Sequence, residues 1–163
     1  MYEKNYENWI AWLDLLRNIK LRYGISYTVL AKVLGTSPQN VKNWISGTVP
    51  QKTFRNDHVG EKLVELVNQC IAWENAVLVA LYQKKTWGRH LKARLGVDKR
   101  TLRGLLYAMS LRGLVRRSSA FSEVWELTEA GVEEVKLRGL VADLTLTFEV
   151  PSGGLKQVLQ NEA

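Results

Sequence analysis

The sequence predicts a mainly α fold with a short β-hairpin late in the chain. Apolar residues recur at helical spacing along most of its 163 residues, short capped segments meet at Gly35 and Gly96, and the period shortens to two around residues 114–127 and again over 142–150. Hydrophobic residues make up 46% of the chain, enough for one or two packed cores.

Trp9, Ile10, Trp12, Leu13, Leu16, Ile19 and Leu21 predict a first helix over residues 8–23 that stops at Gly24. Ser26 can cap a second helix reaching Leu34, and Gly35 permits the turn that follows. Ser37 then caps a third helix, Pro38 takes the first helical position where its missing N–H costs nothing, and Gly47 ends it. The stretch GTVPQKTFRNDH lacks periodicity and predicts a loop.

Beyond the loop, Leu63, Leu66, Val67, Cys70 and Ile71 predict a helix over residues 59–73, with another over 74–84. Thr86 is a candidate cap for a helix ending near Leu95, and Asp98 for one that reaches Arg112 before Gly113. Residues 114–117 and 124–127 predict two strands around the polar tip SSAFSE, and Thr128 opens a further helix with Glu129, Glu133 and Glu134 near its start. The segment ADLTLTFEV alternates at period two and predicts a strand with no identifiable partner.

One internal repeat stands out. Leu30, Leu34, Gly35, Ser37, Val41 and Trp44 correspond, at a constant offset of 61, to Leu91, Leu95, Gly96, Asp98, Leu102 and Leu105. Each copy has an apolar stripe, a glycine turn, a capping residue and a second apolar stripe, which is how a helix-turn-helix crosses two short helices and leaves one face of the second outward. The fold class is therefore an amino-terminal helix-turn-helix bundle followed by a winged helix-turn-helix with a short β-hairpin. Domain boundaries are expected at 1–72, 73–142 and 143–163.

In the first copy Val41, Trp44 and Ile45 hold the helix, so Gln39, Asn40, Lys42 and Asn43 face outward. Gln or Asn can pair bidentately with adenine, and Lys with guanine or a phosphate. Charge supports an anionic partner: the formal net charge is +7, and residues 1–58, 59–127 and 128–163 carry +4, +6 and −3. Residues 84–117 hold eleven basic groups against the single acid Asp98, and that run coincides with the second copy.

Residues 26–50, with LAKVLGTS, then Val41, Trp44 and Gly47, resemble the helix-turn-helix of the phage-repressor and Cro-like family. The resemblance implies that the helix from Pro38 enters the major groove of DNA, with Ser37, Gln39, Lys42 and Asn43 toward bases. It also implies Ser46, Thr48 and Lys52 toward phosphate, and Tyr27 near the other backbone. Pro38 departs from the family, which often has a polar base-reading residue there.

Residues 74–138, through LKARLGVDKRTLRGLLYAMSLRGLVRRSS and VWELTEAG, resemble a winged helix similar to the MarR-type regulators. The resemblance implies that Lys99, Arg100, Thr101 and Arg103 lie on a recognition helix and that Arg116, Arg117, Ser118 and Ser119 belong to the wing. The wing lacks the Asp-Arg feature common in that family.

Trp9, Trp12, Trp44 and Trp73 sit in helical stripes and are expected in the core, whereas Trp87 beside the basic run can pack on sugar-phosphate or cap the core, and Phe121 at the hairpin tip can contact the minor groove or a partner subunit. A single cysteine, Cys70, excludes an intrachain disulfide framework, and His58 with His90 gives no zinc-ligand spacing. No nucleophile triad or phosphate-binding glycine loop occurs, so no catalytic residue, metal or cofactor is expected. The amino terminus lacks a signal-peptide pattern and the apolar runs look too short for a bilayer, so the expectation is a cytoplasmic protein without a membrane partner.

The expected function is sequence-specific double-stranded DNA binding, most readily transcription regulation, with a homodimer possible and no small-molecule ligand evident. Two alternatives stand beside it: a replication-origin or partition-site binder of a plasmid or virus, and a protein-interaction adaptor built on a winged-helix scaffold.

Overall fold

The structure, a computed structural model, describes residues 2–48 and 58–140. In chain order these form α1 (Tyr2–Tyr23), α2 (Tyr27–Leu34), α3 (Pro38–Ile45), α4 (His58–Gln83), β1 (Thr86–Trp87), α5 (Gly88–Leu95), α6 (Lys99–Leu111), β2 (Val115–Arg117), β3 (Val124–Leu127) and α7 (Glu129–Leu137). The fold is mainly α, with one small antiparallel sheet in the order β1-β3-β2. Lys52 and the alternating segment 142–150 lie outside the described residues.

On α1 the side chains of Trp9, Leu13, Leu16, Ile19 and Tyr23 fall three or four residues apart, form one stripe and are buried. That stripe packs on α3, α4 and α6, so α1 belongs to the cores of both helix-turn-helix units. Trp9 meets Trp44 of α3 edge to face, with ring centroids 6.3 Å apart. Helix α1 begins at Tyr2, six residues before the start expected at residue 8.

The offset repeat is a structural repeat. Gly35 and Gly96 end α2 and α5 in the left-handed region, at φ 69° and 68°, where a side chain is strained. The Ser37 hydroxyl accepts from the Asn40 amide at 3.2 Å, and the Asp98 carboxylate accepts from the Thr101 amide at 2.7 Å. Leu30 and Leu91, Val41 and Leu102, and Trp44 and Leu105 are buried at equivalent places.

Two helices were expected over residues 59–84, and the structure has one, the 26-residue α4, through which the expected boundary between residues 72 and 73 passes. The buried stripe Leu63, Leu66, Cys70, Glu74, Val77, Leu78 and Leu81 runs without a break in period, and Glu74 is a member of it rather than a helix start. Its carboxylate, 1% exposed, pairs with the Arg112 guanidinium at the end of α6 and lies 3.1 Å from Arg138 Nη2 after α7. Arg138 also donates to Asn75 Oδ1 at 2.9 Å and to Glu134 Oε1 at 2.8 Å. A buried charge is tolerated because two guanidinium groups converge on it.

Continuity makes the span Val59–Gln83 long and apolar enough to cross a bilayer by length and composition, contrary to the expectation that no run is. One stripe of the span, from Val59 and Leu63 to Leu81, is committed to the protein core, while Val64, Ile71 and Tyr82 are exposed, and Glu74 sits near the middle of the span with two arginines. Helix α4 is the central helix of this fold.

Strand β1 was not expected. Thr86 pairs with Trp125 and Trp87 with Val124, a ladder too short to leave a period in sequence. Thr86 consequently does not cap α5: its hydroxyl donates to the Lys84 carbonyl at 2.9 Å, and Trp87 occupies the cap position without a side-chain hydrogen bond. The expected hairpin forms from β2 and β3, pairing Val115 with Leu127 through Arg117 with Trp125, and Thr128 caps α7 by accepting from the Gly131 amide at 3.0 Å.

Candidate nucleic-acid interface

Helix α3 is held at both ends. Ser37 closes its first turn, and Arg17 of α1 donates through Nε and Nη2 to the Ile45 carbonyl at 3.0 and 2.8 Å, closing the last. With Val41 and Trp44 buried, Gln39, Asn40, Lys42 and Asn43 are all exposed, as expected. Gln39 Nε2 donates to Asn43 Oδ1 at 2.9 Å, one turn away. That pairing sets the two amides side by side and leaves the Gln39 carbonyl as acceptor and the Asn43 amide as donor, the complement of the adenine major-groove edge.

Asn40 turns back, its Nδ2 donating to Thr36 Oγ1 at 2.9 Å, so its side chain supports the turn. Ser37 and Ser46 are exposed but engaged, the first in capping and the second donating to the Lys42 carbonyl at 2.9 Å. Thr48 is exposed beyond α3, its amide donating to the Asn43 carbonyl at 2.9 Å. Tyr27 is half-buried at the start of α2 with the Lys20 ammonium 4.5 Å from its ring centre. Burial holds the Lys20 amine below its ordinary pKa.

On the second unit Lys99, Arg100 and Arg103 project from α6 into solvent. Thr101 does not. It is 8% exposed because it shares the inner face of α6 with Leu105 and Ala108, although its counterpart in the repeat, Asn40, is outward. The amide of Thr101 donates to the Asp98 cap, and that hydrogen bond, followed by one from the Thr101 side chain, holds the Asp98 carboxyl below the usual carboxylate range.

The run of eleven basic groups divides. Arg112 is drawn inward to Glu74, while Arg116 Nε at 2.9 Å and Lys85 Nζ at 3.3 Å flank Glu126 on β3. The Arg116 and Lys85 contacts hold the Glu126 carboxyl below its ordinary range, so Arg116 is an ion-pair partner as well as an outward cation. Lys84, Arg89, Lys92, Arg94, Lys99, Arg100, Arg103 and Arg117 are exposed. The positive field therefore persists over α5, α6 and β2.

Ser118 and Ser119 build the hairpin tip. Ser118 Oγ donates to Ser122 Oγ at 3.1 Å, the Ser118 amide donates to the Val124 carbonyl at 2.8 Å, and the Ser122 amide donates to the Ser119 carbonyl at 3.1 Å. Phe121 at that tip is fully exposed. Between α6 and the hairpin lies an open cleft of about 540 Å³ whose walls include Arg103, Tyr107, Arg116, Arg117 and Trp125.

Tyr107, exposed, and Trp125, half-buried, were not anticipated as walls of this cleft. Tyr107 stands one turn after Arg103 and is 63% exposed, and that i, i+4 spacing was the available signal. The Arg117 guanidinium lies 5.4 Å from the Trp125 ring centre. Trp87 is also largely outward, with Arg89 stacked at 5.0 Å, whereas Trp9 and Trp44 are buried as expected.

Cys70 is buried, and desolvation followed by the nearby Glu74 charge pushes its thiol up to about 12, so it stays protonated at neutral pH. Among the described residues no group of three or more His, Cys, Asp or Glu side chains is placed to hold a metal ion. Comparison with protein-family models, with curated proteins and with solved structures finds no match to this chain.

Proposed function

We propose that this protein binds double-stranded DNA in a sequence-specific manner and regulates transcription by occupying a promoter or contacting polymerase. The observation that carries the reading is the repeated unit itself, built twice with the same turn and cap, each time leaving the polar face of its second helix in solvent. In the first unit that face carries paired amides suited to base edges, and in the second it carries guanidinium and ammonium groups suited to guanine and phosphate. No ligand-sensing domain is assigned among the described residues, so control would come through abundance, a partner or DNA occupancy in a reducing cytoplasm. Origin or partition-site binding uses the same contacts, and two units in one chain favour it to the extent that its target is long.

The test is selection of bound sequences from random duplex DNA at moderate salt, with wild type beside Gln39→Ala/Asn43→Ala and Arg100→Ala/Arg103→Ala. A defined motif that loses different portions in the two double variants is the expected result. Failure to enrich any motif, with weak binding abolished by salt, would reject base reading and leave only a basic surface. Salt-insensitive binding to a protein partner without DNA affinity would place the adaptor reading first.

A further inference from the structure

Tandem DNA-binding units are ordinarily joined by a linker that lets each find its own half-site. The packing here is of another kind. The turn after α1 lies directly against the middle of α6: a Cβ built on Gly24 would stand 2.1 Å from the Gly104 carbonyl oxygen, and one built on Gly104 would stand 2.2 Å from the Gly24 oxygen. Only two glycines permit that approach, and Gly24 is additionally in the left-handed region at φ 63°. The backbones of the two units are in contact with no side chain between them.

Helix α1 also grips the other reading helix. Arg17 holds the last carbonyl turn of α3, and Trp9 packs its ring edge to face with Trp44. The two grips, Arg17 on α1 and Gly24 in the turn that directly follows it, are seven residues apart, or about 10 Å at 1.5 Å per residue. Helix α4 locks the arrangement as well, since its unbroken length contacts α1 and α2 of the first unit and α5 and α7 of the second. A single hydrophobic cluster runs from Trp9 through Leu105 to Val135.

We infer that one copy of this chain reads a bipartite duplex site whose two half-sites have one fixed spacing, with α1 as the element that sets it. The inference rests on the DNA-binding reading above and adds to it the geometry of the target. A rigid pair cannot follow a half-site that is displaced. Each inserted base pair moves one half-site along the axis and turns it by about 35° around the duplex, given 10–10.5 base pairs per turn. A full-turn insertion restores the facing direction but adds about 34 Å, a displacement that units gripped about 10 Å apart cannot take up.

The experiment takes the full chain and the bipartite sequence it selects, and measures affinity for duplexes in which the spacer is altered by −1, +1, +2, +5 and +10 base pairs. The expected result is a loss of at least about tenfold for every altered spacer, +10 included, down to the affinity of a single half-site. Arg17→Ala, which frees the end of α3 without touching α6, is expected to shrink the difference between the optimal and +1 spacers while leaving affinity for the second half-site unchanged. Three outcomes overturn the inference while the function stands: equal affinity at ±1 and +2, recovery at +10, or a selected motif read by one unit alone. Failure to bind any duplex overturns both, and the two failures are thereby told apart.

Discussion

Leu30, Gly35, Ser37, Val41 and Trp44 in one unit, and Leu91, Gly96, Asp98, Leu102 and Leu105 in the other, do the same work at nearly the same backbone angles. Outside that frame the units diverge. The first presents Gln39 and Asn43 as a hydrogen-bonded pair with one cation, Lys42, whereas the second presents Lys99, Arg100 and Arg103 beside a basic hairpin. They are also anchored differently, the first by an arginine on a backbone carbonyl and an aromatic contact, the second by a buried carboxylate with two arginines. A turn and its caps specify how two helices cross, and the outer face is then free to be amide-rich or cationic at no cost to the frame.

The difference in anchoring gives the largest expected effect. Glu74→Ala leaves Arg112 and Arg138 without their shared counterion and should cost about 3–5 kcal/mol of stability. Arg17→Ala removes two hydrogen bonds to one part-buried carbonyl and should cost about 1–2 kcal/mol. Chemical denaturation of the two variants beside wild type measures the gap. Equal losses would mean that the two units are anchored alike.

The seam between the units comes next. Gly104→Ala forces a methyl group onto a backbone oxygen and should cost about 3 kcal/mol, because a helix or a turn must move. Gly35→Ala and Gly96→Ala meet open space and carry only the left-handed backbone strain, about 1 kcal/mol each. Thermal melts of the three variants separate crowding from strain.

The outer faces are told apart in binding. Arg100→Ala/Arg103→Ala should reduce the salt slope by about 0.9 log unit of affinity per log unit of salt for each phosphate that is no longer neutralised. Gln39→Ala/Asn43→Ala should leave that slope unchanged and forfeit about 1–3 kcal/mol of base discrimination. A salt titration on matched and mismatched duplexes reads both, and a slope change in the amide variant would erase the proposed division of labour.

The caps give the smallest effect and differ in titration. Ser37→Ala should cost about 1 kcal/mol at any pH. Asp98 has its folded pKa depressed, chiefly by the Thr101 amide, so its stabilising contribution is present above the unfolded value of about 3.9 and is lost as pH falls through the folded one. Asp98→Asn keeps an acceptor and should remove that acid-range dependence, as stability measured between pH 2 and 6 would reveal.

Short helices with local punctuation were legible in the sequence because their causes are local. Ser37, Asp98 and Thr128 each cap the third following amide, and Gly35 and Gly96 each end a helix, so a window of a dozen residues contains the whole cause. The continuity of α4 was not legible, because what makes Glu74 tolerable at mid-helix are partners 38 and 64 residues away. Strand β1 depends in the same way on Trp125. On the interface, outward amides and cations followed from helical period, while the inward Thr101, the paired Arg116 and the exposed Tyr107 depend on which neighbour each side chain meets after folding.

Helix α4 has a consequence for how the molecule comes apart. A helix that lies in the core of both units conducts any local opening from one to the other, because unwinding its first half strips apolar cover from α1 and unwinding its second half releases α5 and α7. Thermal unfolding should then be one cooperative transition, with tryptophan fluorescence and helical circular dichroism giving the same midpoint. The amides around Cys70 to Val77, shielded from either end, should exchange only when the whole protein opens, so that their exchange rate reports global stability at a single place in the chain.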